Sequence, residues 1–123
     1  MKKLLLMATM LLAFGAANAQ IGEIKIDGST AYIYNDQGSY SGSSISVGGG
    51  REIVGYNSRY AVVKDGSTAY IYDSKGSYSG SSISLGGGRT IKNVTGSNIL
   101  VKDGSTVYYY DFKGSYTGNS THD

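Results

Sequence analysis

The sequence predicts an all-β fold of tandem four-stranded antiparallel meanders, and three observations predict it. The first is an internal repeat at a constant step of 38 residues: Asp27-Gly28-Ser29-Thr30 recurs as Asp65-Gly66-Ser67-Thr68 and again as Asp103-Gly104-Ser105-Thr106. The second is spacing, because short β-rich runs are separated at close intervals by Gly, Asp, Asn and Ser, which is turn chemistry. The third is the rarity of apolar residues at i, i+3 and i+4, the recurrence an amphipathic helix needs.

The chain opens on a targeting pattern. Lys2 and Lys3 precede an apolar run from Leu4 to Phe14, and the small-residue sequence Ala17-Asn18-Ala19 follows it. A positive n-region, an apolar h-region and an A-x-A site define a secretory signal peptide over residues 1–19. The run falls short of the roughly 20 residues that span a bilayer, and no later segment is apolar enough to do so. With no cysteine for a lipid anchor, cleavage after Ala19 leaves a chain that starts at Gln20 and is exported: periplasmic, cell-surface or secreted.

Charge and composition then narrow the function classes. The full chain has 11 Lys and Arg against 9 Asp and Glu, but both excess cations sit in the signal peptide, so the mature chain has no formal net charge. It lacks the positive field that a phosphate backbone or an anionic membrane selects, which argues against nucleic acid as a partner. Export permits disulfides, yet there are no thiols. Stability must come from the sheet ladder and a modest core. Interleaved Ile, Val, Leu and Tyr argue against reading the Gly/Ser content as a flexible linker.

The units run 27–64, 65–102 and 103–123, the third truncated. The first two share Tyr-Ile-Tyr, Gly-Ser-Tyr-Ser-Gly-Ser-Ser-Ile-Ser and Gly-Gly-Gly-Arg; the third keeps Val107-Tyr108-Tyr109-Tyr110 and Gly114-Ser115-Tyr116. Tyr60 to Lys64 and Ser67 to Tyr72 are strands joined by Asp65-Gly66, a hairpin pair predicted to take positive φ at both residues. Asp73-Ser74-Lys75-Gly76 suits a type I turn closed by a left-handed Gly. The strand after it puts Ile83 and Leu85 on one face and Tyr78 on the other, by the period of two. Past Gly86-Gly87-Gly88, a fourth run from Arg89 to Val94 leads through Thr95-Gly96-Ser97-Asn98 into Ile99 to Lys102. Whether Ile21 to Ile26 completes the unfinished third unit is a question of strand order that the repeat leaves open.

One unit cannot fold alone. Ordering a residue costs about 1–2 kcal/mol of backbone entropy, while a fully buried aliphatic side chain returns about 1.5–3 kcal/mol, and a full unit holds only seven or eight Ile, Val and Leu residues. Adjacent units must bury one another's faces.

This order of strand, Asp-Gly, Tyr-Ile-Tyr strand, Asp-x-x-Gly and third strand resembles the blade of a β-propeller. It is closest to short-blade families with Val-x-x-Asp-Gly patterns; the Trp-Asp dipeptide of WD40 blades and the Tyr and Trp after a kelch diglycine are missing. The resemblance implies an incomplete propeller of about three blades. Because propellers close with four to eight, a closed ring would need a second copy, a homodimer of six blades with head-to-tail contacts; otherwise the chain is an open fragment.

The side chains offer binding features rather than catalytic ones. His122 is the single histidine, the side-chain type whose unperturbed pKa lies near neutrality, and it is the penultimate residue. The serines occupy repeated turn positions with no base at hand. Asp27, Asp65 and Asp103 fall at the hairpins and Asp73 and Asp111 at the next turns, without calcium-loop spacing. No metal or cofactor is expected. Two constellations remain as candidate binding groups. Tyr32 and Tyr34, Tyr70 and Tyr72, and Tyr108 and Tyr110 place paired aromatics on one strand face, opposite Ala31 and Ile33, Ala69 and Ile71, and Val107 and Tyr109. Such pairs either pack between sheets or serve as platforms for a neutral, stackable ligand such as a glycan. Arg51 and Arg89, each after three glycines, either sit solvated beside a plain turn or hold a carboxylate or sulfate.

The expected function is therefore a non-enzymatic exported binding or interaction module with a glycan or protein partner. The alternative is a self-assembling extracellular matrix subunit that pairs through its edge strands.

Overall fold

Eleven strands follow one another in the computed structural model, which describes residues 20–123; the predicted signal peptide lies outside them. They are β1 (Glu23–Asp27), β2 (Thr30–Tyr34), β3 (Tyr40–Ser46), β4 (Glu52–Tyr56), β5 (Tyr60–Asp65), β6 (Thr68–Asp73), β7 (Tyr78–Ser84), β8 (Thr90–Val94), β9 (Ile99–Asp103), β10 (Thr106–Tyr110) and β11 (Tyr116–His122). All pairings are antiparallel, and the described residues contain no helix. The all-β class and the tandem meanders are as the sequence predicts, with strand bounds within about a residue of those read from turn chemistry.

The hairpin at each Asp-Gly-Ser-Thr differs from the expectation in one respect. Asp65 pairs with Thr68, so the two loop residues are Gly66 and Ser67, not Asp65 and Gly66. Gly66 has φ 64°, and no non-glycine residue has positive φ. A positive φ at the first central residue alone is a type II′ turn, which asks for Gly first and accepts any L-residue second. The Asp is thereby freed from the turn and becomes the last residue of its strand. The following turn is as predicted: the amide of Gly76 donates to the carbonyl of Asp73 (3.1 Å), and Asp73 Oδ1 accepts from the amides of Lys75 (2.9 Å) and Ser77 (3.0 Å).

The sheets are cut at the triple glycines, a different phase from the Asp-Gly division of the sequence. β1, β2 and β3 form the first sheet; β4 to β7 form the second; β8 to β11 form the third. Each Gly-Gly-Gly carries two consecutive left-handed residues, Gly49 and Gly50 or Gly87 and Gly88, and this backbone swings the chain away from one sheet. The run after it then hairpins onto the next strand, so β4 pairs with β5 and β8 with β9. The third sheet thus gains its fourth strand from β8. Ile21 to Ile26 contributes β1, which pairs with β2 rather than completing the third unit.

The three sheets stack face to face. Ile24, Ala31, Ile33 and Ile45 of the first meet Ile53, Ala61, Val63 and Tyr72 of the second. On its other face the second sheet presents Val62, Ala69, Ile71, Ile83 and Leu85 to Ile91, Ile99, Val101 and Tyr110 of the third. The second sheet is therefore apolar on both sides, which is how units too small to fold alone become stable together. The turn that opens each later unit's last strand docks on the preceding sheet: a Cβ at Gly76 would lie 2.4 Å from the carbonyl oxygen of Ser44, and one at Gly114 2.5 Å from that of Ser82. Side-chain ties add to this, Asn57 Nδ2 donating to the carbonyl of Thr95 at 2.9 Å.

Candidate functional site

Alternation along β6 sends Ala69 and Ile71 into the interface with the third sheet and leaves Tyr70 and Tyr72 on the side of the first. Ala69 and Ile71 are fully buried, the two tyrosines half-buried. The same division holds for Ala31 and Ile33 against Tyr32 and Tyr34, and for Val107 against Tyr108 and Tyr110. All six paired tyrosines lie on the faces the sequence assigns them.

A third ring joins each pair. Tyr72 is the cross-strand partner of Tyr78, and a register shift between Ile71 and Tyr72 lets Tyr78 reach both members of the pair. Its ring meets Tyr70 edge-on at 5.5 Å between centroids and Tyr72 in a tilted contact at 5.8 Å. Tyr40 repeats this with Tyr32 and Tyr34 (5.7 and 5.8 Å), and Tyr116 with Tyr108 and Tyr110 (5.5 and 5.8 Å). These separations suit the ring quadrupoles, which favour edge-on over face-on approach. The third ring was missed as a site residue, although its place opposite Ile83 and its recurrence at the same step were visible in the sequence.

The arginines come to the same places. Because β4 pairs with β5 in the register Glu52 to Lys64, Arg51 arrives beside Asp65, with Nε 3.3 Å from Oδ2. Arg89 stands likewise 3.6 Å from Asp103, and its Nη1 donates to the carbonyl of Ser84 at 3.4 Å. Both pairs are too exposed to stabilise the fold appreciably. Asp65 and Asp103, predicted to be turn residues, are thus at the hairpin and also paired with arginine.

Arg51, Val63, Asp65, Tyr70, Tyr72 and Tyr78 line one cleft of about 260 Å³. The structure joins here the two constellations that the sequence shows 19 residues apart at Arg51 and Tyr70. The Arg51–Asp65 pair presents guanidinium donors next to carboxylate acceptors, and the tyrosines supply apolar ring faces with hydroxyl tips. At the repeat-equivalent positions of the third sheet stand Arg89, Val101, Asp103, Tyr108, Tyr110 and Tyr116. The first sheet differs: Lys25 replaces the valine, and its Nζ lies 4.6 Å from the centroid of the Tyr34 ring, a cation–π contact. The other titratable residues fall elsewhere. His122 lies on β11 with Nδ1 3.1 Å from the carbonyl oxygen of Ser105, and Asp73 and Asp111 serve their turns. Among the described residues no helix is long and apolar enough to cross a membrane.

No protein-family model matches the chain, and no curated protein or solved structure is significantly similar to it.

Proposed function

We propose that this protein is a non-enzymatic, exported β-repeat binding module whose cleft on the second sheet takes a neutral, polar, stackable ligand, for which a glycan is the fitting class. The observation that carries this is the convergence of Arg51 and Asp65 with Tyr70, Tyr72 and Tyr78 around one cleft. A sugar ring has an apolar face of C–H groups suited to a tyrosine ring, and adjacent hydroxyls that both donate and accept. An Arg–Asp pair offers the complementary acceptor and donors side by side. The pair is self-neutralising, so the cleft selects polarity rather than charge, consistent with a mature chain of zero formal net charge. Rings already held by ring–ring contacts lose little freedom on binding, which favours affinity.

The test is calorimetric titration with neutral oligosaccharides of the wild type, Arg51→Ala and the double variant Tyr70→Ala/Tyr78→Ala. Each variant is expected to lose about tenfold or more in affinity, equivalent to ~1.4 kcal/mol, with its circular dichroism spectrum unchanged. Unaltered binding by the double variant would remove the tyrosines from the site.

One observation favours a second reading, self-assembly through edge strands. Ile26 is 58% exposed on β1, one of the two unpaired edges of the first sheet among the described residues. An exposed apolar residue on a regular edge strand is a template for pairing with another chain. Polydisperse species that dissolve on Ile26→Lys would move this reading ahead of ligand binding.

A further inference from the structure

The glycan reading concerns one cleft, but the feature repeats three times along the stack. Tyr40, Tyr78 and Tyr116 each open the edge strand of their sheet, β3, β7 and β11. They are 50%, 48% and 47% exposed, and each is held by two other tyrosines in nearly identical geometry. Stacked sheets lie about 10 Å apart, and the three half-exposed rings stand at one repeat position on the corresponding edge strand of each successive sheet. The single cleft, at about 260 Å³, falls below the roughly 300–1,000 Å³ of sites that hold a small molecule well. A shallow site that recurs at fixed spacing gains affinity through repetition, because each contact after the first is intramolecular at an effective concentration near the mM range.

We propose, resting on the glycan reading, that the three tyrosine triads are successive subsites for one linear polymer, a neutral polysaccharide strand laid across the stacked sheet edges. The subsites are not equivalent. The second gathers its rings around Arg51–Asp65 and the third carries Arg89–Asp103 at the equivalent repeat positions, whereas the first has Lys25 over Tyr34 and lies on an outer face of the stack. The series of subsites therefore has a direction, and a polymer crosses it with distinct contacts at its two ends.

The experiment is titration of the protein with cello-, chito- and malto-oligosaccharide ladders running from disaccharide to octasaccharide. Affinity is expected to climb by about 100-fold or more with length, and stoichiometry to fall toward one chain per protein. Tyr40→Leu, Tyr78→Leu and Tyr116→Leu keep apolar bulk without the aromatic face. Each is expected to lower affinity for the longest binding oligomer about tenfold, to leave disaccharide affinity at the other subsites unchanged, and to keep the wild-type urea midpoint. Binding that is equally tight for short and long oligomers, or sensitivity to Tyr78 alone, overturns the polymer proposal and leaves the single-cleft reading standing. If no ladder binds at all, both readings fall together.

Discussion

Ile71 and Tyr109 occupy the same position of the repeat, one sealed between the second and third sheets and the other on the outer face of the third. The contrast extends across that face. Where the second sheet has Val54, Ile83 and Leu85, the third has Lys92, Thr121 and Asp123, all exposed. The outer face of the first sheet shows the same change: Glu23 and Lys25 stand where the second sheet has Ala61 and Val63, both fully buried. Inner faces are aliphatic and end faces charged. Repeat stacks need such polar end faces to remain soluble, and the substitutions fall where the next unit's side chains would otherwise dock.

The comparison breaks if position 71 proves as tolerant as position 109. Ile71 is fully buried, so Ile71→Ala removes its transfer free energy and leaves a cavity between two sheets, a loss of about 2–5 kcal/mol. Tyr109→Ala acts on a partly exposed end face and should cost less than half as much. Urea unfolding of the two variants gives the difference directly, and equal midpoints would mean that the second and third sheets do not share a core.

A second contrast concerns three glycines with one backbone conformation. Gly38, Gly76 and Gly114 have φ of 82°, 78° and 81°, but a Cβ at Gly38 would meet open space, whereas at Gly76 and Gly114 it would strike backbone of the preceding sheet. Gly38→Ala should cost about 1–2 kcal/mol, the strain of an L-residue in the left-handed region. Gly76→Ala should cost that and more, because Ser44 must move away. Equal losses in thermal melts would show that the inter-sheet approach adds nothing.

The end faces also bear on assembly. A six-blade dimer must bring Glu23 and Lys25 of one copy against Lys92, Lys102 and Asp123 of the other, and desolvating such charges costs several kcal/mol per ion unless each finds a partner. The charged faces predict a monomer by light scattering at micromolar concentration. A dimer that dissociates in high salt would show instead that the faces pair through those charges.

Much of this was legible in the sequence because the determinants are local. Turn residues set the strand limits, and the period of two assigns Ile71 and Tyr70 to opposite faces without knowledge of any partner. The phase of the sheets was less accessible: Gly-Gly-Gly-Arg can end one unit or begin the next, and only the hairpin from β4 onto β5 decides it. That phase also hid the site. Arg51 reaches Asp65 and Tyr70 through cross-strand register, and Tyr78 reaches its pair through a register shift, neither of which residue spacing encodes. The aspartates were assigned to the turn because Asp-Gly is a strong hairpin signal; in a type II′ turn the glycine alone carries the strained φ, and the carboxylate is left to pair with arginine.

The smallest expected effect lies at the edge of the outer face. Asp123 closes the third sheet: its amide donates to the carbonyl of Ser105 at 2.8 Å, and its carboxylate takes Lys102 Nζ at 2.8 Å and also contacts Lys92. Hydrogen bonds from Lys102 first, then Lys92, lower its pKa from 3.8 to about 2. A carboxylate whose folded pKa is depressed contributes stability that is complete above its unfolded value and fades as pH falls through the folded one. The end of β11 should therefore stay tied to Lys92 and Lys102 at neutral pH, loosen as pH drops from 3.8 toward about 2, and release below that. Measured by NMR across this range, the Asp123 side-chain carboxyl carbon should titrate with the depressed midpoint while the Lys92 and Lys102 Nζ signals shift in step. Asp123→Asn should abolish that coupled transition and leave the second sheet's core signals untouched. A midpoint at the ordinary carboxylate value, or a transition that survives in Asp123→Asn, would show that this clamp does not form in solution.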